Sequence, residues 1–220
     1  MKSSLLSKLK YLIQMKKLNK NNSVSIPFLK NFKIHIDGKG NYVNIAKGAS
    51  LKGRLDIFGN NNKITIQKGY PCHINLSIGI DKNRTTSYCV FKWHENTYCG
   101  SANIIMGENN SEIIVEKNCL ISDNVDIYCT DGHTISNLKN KIMNVGRFVH
   151  IGEHVWIGKD VKIGKNTSIP KNSVIGWGSI VTKQFNQENT IIAGNPAKIV
   201  KENIIWKKDF PNKNSINKRI

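Results

Sequence analysis

An aliphatic side chain returns at every sixth position of one long stretch: Val145, Ile151, Ile157, Ile163, Ile169, Ile175 and Val181. Glycine stands directly after most of them, at Gly146, Gly152, Gly158, Gly164 and Gly176, with Pro170 and Thr182 as the exceptions. A helix repeats near 3.6 residues and a strand near 2, so neither produces a period of six. A short fixed period marks a solenoid, and six-residue units build parallel β-helices. Each unit is then an extended wall plus a corner. The aliphatic residue points inward, and a nearby Gly or Asn lets the backbone turn. Three walls close one triangular coil of 18 residues, so 151–186 span two coils. A second inward position, four after the aliphatic, holds Val155, Val161, Thr167, Ser173 and Ser179.

The same register occurs earlier, at Val115, Ile121 and Ile127. From Ile127 to Val145 is again 18 residues, one coil's worth, yet 128–144 carry no hexad pattern. This reads as a coil interrupted by a protruding loop. A third run, Ile45, Leu51 and Ile57, has another phase, which insertions between 58 and 114 must reset. Residues 70–103 read as irregular coils or a second loop. The expected fold is all-β: a parallel β-helix of hexapeptide repeats with a protruding loop and short helical segments at the termini. Its expected division is a basic amphipathic segment over 1–30, the β-helix over 31–200 with its loop at 128–144, and a basic tail over 201–220, with a short helix near Ile204–Trp206.

Residues 1–22 hold six lysines and no acid, with Leu5, Leu6, Leu9, Leu12 and Ile13 on one helical face. Such a helix caps the open end of the coils, which otherwise exposes strand edges, or rests on anionic lipid. The five cysteines have no CxxC spacing, which favours reduced thiols in a cytoplasm over disulfides or structural zinc. No apolar run is long enough to span a membrane, and residues 1–22 lack the apolar stretch of a secretory signal, so none is expected. The expected location is cytoplasmic, including the inner face of the membrane. The net charge is +18. Its lysines are not interleaved with aromatics as single-strand binding needs, so a nucleic acid partner is not expected. An anionic cofactor, an acidic polysaccharide or a membrane surface accounts for the charge equally well.

Three stretches carry a more specific signal: SDNVDIYCTDGHTI (Ser122–Ile135), HVWIG (His154–Gly158), and GWGSIVTK (Gly176–Lys183) followed by AGNPAKIVK (Ala193–Lys201). In order and spacing they resemble the hexapeptide-repeat acyltransferases, left-handed β-helix enzymes that use acetyl-CoA. The resemblance covers 104–201 well and 34–70 loosely. The pattern Cys119, Ser122, Asp131, Gly132, His133 and Ile135 looks most like O-acetyltransferases of capsular or lipopolysaccharide sugars, including sialic acid polymers. The left hand follows from this resemblance alone, since chain physics favours right-handed crossovers.

The resemblance implies acetyl transfer from acetyl-CoA, an acyl-donor cosubstrate, to a sugar hydroxyl, without a metal. A hydroxyl is a poor nucleophile until its proton leaves, and imidazole is suited to accept it near neutral pH. His133 lies in the interrupting loop, where the family's general base lies, and Asp131 or a backbone carbonyl would fix its tautomer. Trp156 matches a position near the CoA sulfur, or else packs against a neighbouring subunit. Gly158, Lys159, Trp177, Thr182, Lys183, Lys198 and Lys201 match acyl-CoA contacts, the lysines meeting phosphates as point charges. Position 177 is usually small in the family, and Trp here reshapes that groove or packs outward. A homotrimer is expected, because a second subunit completes the CoA groove.

Other readings of the residues stay open at this point. One is an N-acetyltransferase or another small-acceptor acetyltransferase on the same scaffold. Another is a non-catalytic β-helix used for assembly. Cys129 lies four residues before His133, which raises a covalent route. His133, His150 and His154 raise a zinc lyase. His35, His73 and His94 show no sequence partners and read as structural or exposed.

Overall fold

The computed structural model describes residues 2–209, with side chains from residue 9 onward. Its strands stack as three walls of a prism. The first wall runs through Ser23–Ser25, Tyr42–Ile45, Lys63–Ile66, Val90–Trp93, Glu112–Val115, Phe148–Ile151 and Thr167–Ile169, all parallel. Walls two and three form one sheet in the early coils. Leu51–Phe58, Cys72–Ile78 and Tyr98–Met106 each run straight through the corner between them. Tyr98–Met106 then pairs with Leu120–Ile121 on wall two and with Val125–Tyr128 on wall three, and the walls separate. A final antiparallel pair, Ile191–Gly194 with Ala197–Lys201, closes wall two.

The six-fold aliphatic series from Ile151 to Val181 is inward-facing and at most 2% exposed. Where the second inward position is polar, the hydroxyl finds a carbonyl at its own corner: Thr167 Oγ1 donates to Gly164 O at 2.8 Å and Ser179 Oγ to Gly176 O at 2.6 Å. Among the described residues no buried side-chain nitrogen or oxygen lacks a partner. Solenoid interiors are thin, so this matters: an unpaired polar group there would cost about 1–3 kcal/mol.

Two kinds of small residue share the work of the corner. The left-handed position falls three after the aliphatic, at His154, Asp160, Asn166, Asn172 and Gly178, with φ between 55° and 65°. The glycine directly after the aliphatic has another purpose. A Cβ on Gly158 would meet Trp177 Cδ1 at 2.4 Å, and one on Gly152 would meet Lys171 N at 2.7 Å. Those glycines permit close stacking of coils; the Asn, Asp and His residues make the turn.

Val145 departs from the expected pattern. It is 41% exposed and belongs to the protruding arm, and the chain re-enters the core at Val149. Val115 stacks directly beside Ile151, Ile121 beside Ile157, and Ile127 beside Ile163. Most of the residues counted from Ile127 to Val145 therefore leave the prism, from Asp131 onward, and the 18 do not make a coil. Upstream, Ile45, Ile66, Trp93 and Val115 are successive rungs of wall one, so those coils run longer than 18 residues. Residues 70–103 are such irregular coils: Cys72–Ile78 alternates buried and open side chains along its length.

The helix α1 (Lys2–Leu18) covers the first coils, but not with the expected face. Met15 and Leu18 pack on the core, the Tyr11 hydroxyl donates to Ile26 O, and Gln14 Nε2 donates to Ile34 O at 3.1 Å. Leu9, Leu12 and Ile13 point away, between 54% and 62% exposed. The Leu5 and Leu6 side chains lie outside the described residues. The tail is no helix over Ile204–Trp206. It has no regular secondary structure at those residues and returns along wall two, because Trp206 has a berth there: the indole is 7% exposed, stacks on His154 at 4.1 Å, and donates to His154 O at 2.9 Å. Ile204 N donates to Asn189 O at 2.9 Å. The tail's remainder, 210–220, lies outside the described residues. Among the described residues no helix is long and apolar enough to cross a membrane.

Candidate active site

The arm leaves wall three after Val125–Tyr128 and returns to wall one at Phe148–Ile151. Cys129 and Thr130 are still buried, so the excursion begins at Asp131. Thr130 Oγ1 accepts from Gly132 N at 2.9 Å and donates to Glu108 Oε1 at 3.1 Å. Gly132 adopts φ +74°, with open space around its Cα, so glycine serves here to turn the chain rather than to avoid a clash. Farther out, Ser136 bridges Ile142 and the arm folds back on itself.

One asparagine holds this excursion together. Asn144 Nδ2 donates to His133 O and to Asp131 Oδ2, each at 2.8 Å, and Asn144 Oδ1 accepts from Ile135 N at 2.8 Å. Asp131 Oδ2 also takes Lys165 Nζ from the next coil, at 2.5 Å. The bond from Lys165 holds the Asp131 carboxyl below its ordinary pKa, with Asn144 adding to it. Asp131 thus fastens the arm to the prism; its carboxylate bonds are to Lys165 and Asn144. The His133 backbone is fixed by Asn144, and its side chain is exposed.

Beside Gly132 lies a mainly apolar groove of about 440 Å³ on the outer side of wall three. Ile105, Ile180 and Tyr128 line it, with Asp131, Lys162 and Thr182 at its polar points. Of the residues expected to contact the donor, Thr182 lines this groove, and Lys183 follows it with Nζ 5.2 Å over the Phe185 ring. Gly158, Lys159, Trp177 and Lys198 gather at the other edge of wall three. Gly178 N bonds Lys159 O at 2.9 Å, Gly176 abuts Ala193, and Ala193 pairs with Lys198. Trp177 is 75% exposed there. Lys201 sits farther along the same hairpin, opposite Ile191.

Trp156 is on wall two, paired in register with Leu120 and Val174, with its ring 6.0 Å from Trp206. Wall two is the wall opposite the corner that bears the arm. In one copy of the chain, Trp156 and His133 sit on opposite sides of the prism.

Most of the remaining candidates have structural employment. His150 Nε2 pairs with Glu112 Oε1 at 2.7 Å, and His154 is a left-handed corner whose Nδ1 meets Asn172 Oδ1 at 3.1 Å. Among the described residues no group of three or more His, Cys, Asp or Glu converges as a metal site. His94 lies 3.9 Å from Glu116, His35 packs on Phe58 at 5.3 Å, and His73 is exposed. All five cysteines are free and buried. Burial pushes the Cys129 thiol up to about 12, which withholds the thiolate a covalent route requires. Asn144, Lys165 and Trp206 had no sequence signal. Asn144 is one of several polar residues in an aperiodic loop, and Lys165 is an ordinary outward lysine of the repeat.

The sequence matches no protein-family model and no curated protein. Among solved structures the chain is similar to the polySia specific acetyltransferase NeuO, at 26% identity and TM-score 0.59, over 83% of this chain and 92% of that one. It is also similar to the polysialic acid O-acetyltransferase OatWY, at 29% identity and TM-score 0.57, over 82% and 93%.

Proposed function

We propose that this chain, an acyltransferase built on the left-handed β-helix of the hexapeptide-repeat acetyltransferases, moves an acetyl group from acetyl-CoA to a hydroxyl of a capsular or lipopolysaccharide sugar. His133 is the general base. The observation that carries this reading is the arm: it presents the His133 side chain to solvent, with Asn144 bonding His133 O and Lys165 bonding the Asp131 carboxylate, and its Asp131 and Gly132 line an apolar groove. The similarity to two acetyltransferases of polysialic acid supports the saccharide acceptor.

In this mechanism His133 takes the proton of the acceptor hydroxyl as the oxygen attacks the thioester carbonyl. The tetrahedral intermediate places negative charge on the former carbonyl oxygen, and a backbone N–H of a neighbouring coil stabilises it; losing such a donor costs about 2.7–4 kcal/mol elsewhere. The groove on wall three accommodates the pantetheine arm between Thr182 at one edge and the Gly158, Lys159 and Lys198 corner at the other. Trp156 offers an indole N–H, a donor only, suited to the departing thiolate.

A site that uses both His133 and Trp156 takes them from different copies of the chain, because they lie on opposite sides of one prism. The arm supports such an assembly: Ile135, Leu138, Ile142 and Met143 are all more than half exposed. Apolar side chains concentrated on one projecting element suit burial against another protein surface. The assembly proposed is a homotrimer. Leu9, Leu12 and Ile13, turned outward beside lysines of α1, supply a peripheral contact with the inner membrane face.

The test is His133→Ala. Loss of transfer by about 10²–10⁴-fold is expected for removal of a general base. The thermal shift produced by acetyl-CoA should survive. Near-normal turnover by this variant would refute the assignment. Labelled acetyl donor with a panel of capsular glycans, lipopolysaccharides and amino sugars identifies the acceptor.

A further inference from the structure

A second, larger depression of about 1030 Å³ lies between α1 and the first coils. Its lining includes Lys10, Lys30, Lys33, Arg54 and a single acid, Asp56. Arg54 holds Asp56 at 2.5 Å, and among the described residues no carboxylate pairs with Lys10, Lys30 or Lys33. The cleft therefore carries positive charge that nothing described neutralises. Phe28 stands edge-on to Tyr11 at 5.7 Å and adds an exposed aromatic surface to it.

This cleft and the groove beside Gly132 share a wall. In register, Lys33 neighbours Arg54, then Asn75, Asn103, Asp126 and Lys162. All these side chains point out of wall three. Asn75 lines the cleft and Asp126 lines the groove. Asn103 joins them, accepting from Asn75 Nδ2 at 3.1 Å and donating to Asp126 Oδ1 at 3.3 Å. Lys162 Nζ completes the row on Asp126 Oδ2 at 2.5 Å. Adjacent rungs are roughly 4.8 Å apart, which separates Lys33 from Lys162 by about 24 Å.

We propose that wall three is a track for a polyanionic saccharide chain, and that the cleft under α1 is its distal anchoring subsite. This rests on the reading of the groove as the acetyl-transfer site. The sugar that reacts lies at the groove. Its neighbours extend over the hydrogen-bonding row of Asn103 and Asn75, and their acidic groups reach Lys10, Lys30 and Lys33. A monosaccharide cannot occupy both ends of this span; a chain of several units can. A lipid surface would meet the opposite side of α1, where Leu9, Leu12 and Ile13 point outward.

The test separates binding from turnover. His133→Ala protein is titrated with fluorescently labelled oligosialic acids, from the dimer to chains long enough to span the wall, and with neutral oligosaccharides of matching length. Affinity is expected to rise with length for the acidic series only and to fall with salt. Adding Lys30→Glu and Lys33→Glu should weaken the long acidic chains by about tenfold or more and leave the dimer unaffected, as two reversed charges imply. The acetyl-CoA thermal shift of the same variant reports on the fold. Equal binding of long chains with and without the charge reversals overturns the subsite, as does equal affinity for neutral chains. Length-dependent acidic binding without acetyl transfer to any glycan by the parent protein would keep the track and refute the proposed reaction.

Discussion

Lys165 reaches from one coil to the Asp131 carboxylate of the arm, at 2.5 Å, and so couples the placement of His133 to the stacking of the prism. Asn144 completes the link by bonding both Asp131 Oδ2 and His133 O. An arm that is otherwise solvent-exposed acquires a defined path at Asp131 and His133 from these few bonds, which the proposed role of His133 requires. Misplacing a reacting group by about 1 Å can lower a rate by about 10²-fold.

Asn144→Ala should therefore lower kcat by about 10-fold to 10²-fold, while the KM for acetyl-CoA stays near that of the parent enzyme. In the proposed mechanism Asn144 places His133 without touching the substrate, so the acidic limb of the pH–rate profile should keep its midpoint. Steady-state kinetics across pH checks this. An unchanged kcat removes the clasp from the mechanism.

The Lys165 bond lowers the Asp131 pKa in the folded chain. A carboxyl whose folded pKa is depressed adds stability above its unfolded pKa, about 3.9, and loses it as pH falls through the folded value. Asp131→Asn keeps the side-chain shape and removes the charge. Its stability deficit against the parent should be constant at neutral pH, shrink below about pH 4, and vanish at lower pH. Urea unfolding across this range measures it. The carboxylate is more than a third exposed, so the deficit is small and falls further with salt.

Gly158 and Gly164 occupy equivalent places in the repeat and should respond differently to alanine. A Cβ at 158 meets Trp177 Cδ1 at 2.4 Å and two backbone atoms at 2.9 Å, whereas at 164 the nearest atom is Val181 O at 3.5 Å. Gly158→Ala should destabilise by about 1–3 kcal/mol, as overpacking does. Gly164→Ala should fold within about 1 kcal/mol of the parent. Equal midpoints for the two variants would contradict the stacking described.

Cys129 faces the interior, fully buried, with its thiol pushed up to about 12 by that burial. Cys119 and Cys72 are pushed to about the same value for the same reason. A thiol reagent should label none of these three in the native protein at neutral pH and should reach them in denaturant. Cys129→Ser should keep its acetyl transfer. Native labelling of Cys129 with loss of activity would reopen the covalent route.

The period of six was readable because it is local. Inward and outward positions alternate within each short wall, and one buried aliphatic per wall suffices, so the core from Ile151 to Val181 lies open in the chain. The reason for the glycines was not readable, since a glycine that turns the backbone and one that avoids a neighbouring coil look alike. His154 is the instructive case: it is a corner residue at φ 55°, a role Asn fills at positions 166 and 172. The motif around His133 identified the arm. It could not reveal that Asp131 answers to Lys165, 34 residues away, or that Trp206 folds back onto His154, 52 residues away.

Counting likewise made the 18 residues from Ile127 to Val145 look like one coil's worth of chain, interrupted by a loop. What decided otherwise is the backbone pairing of Val115 with Ile151, which brings the rungs on either side of the arm together and leaves Val145 outside. Spacing along a chain specifies which side chains face inward, because that depends on neighbours a few residues apart. Which rung lies beside which depends on hydrogen bonds between segments far apart in the chain. Only the stacked prism supplies those, and with them the wall that joins the groove to the cleft beneath α1.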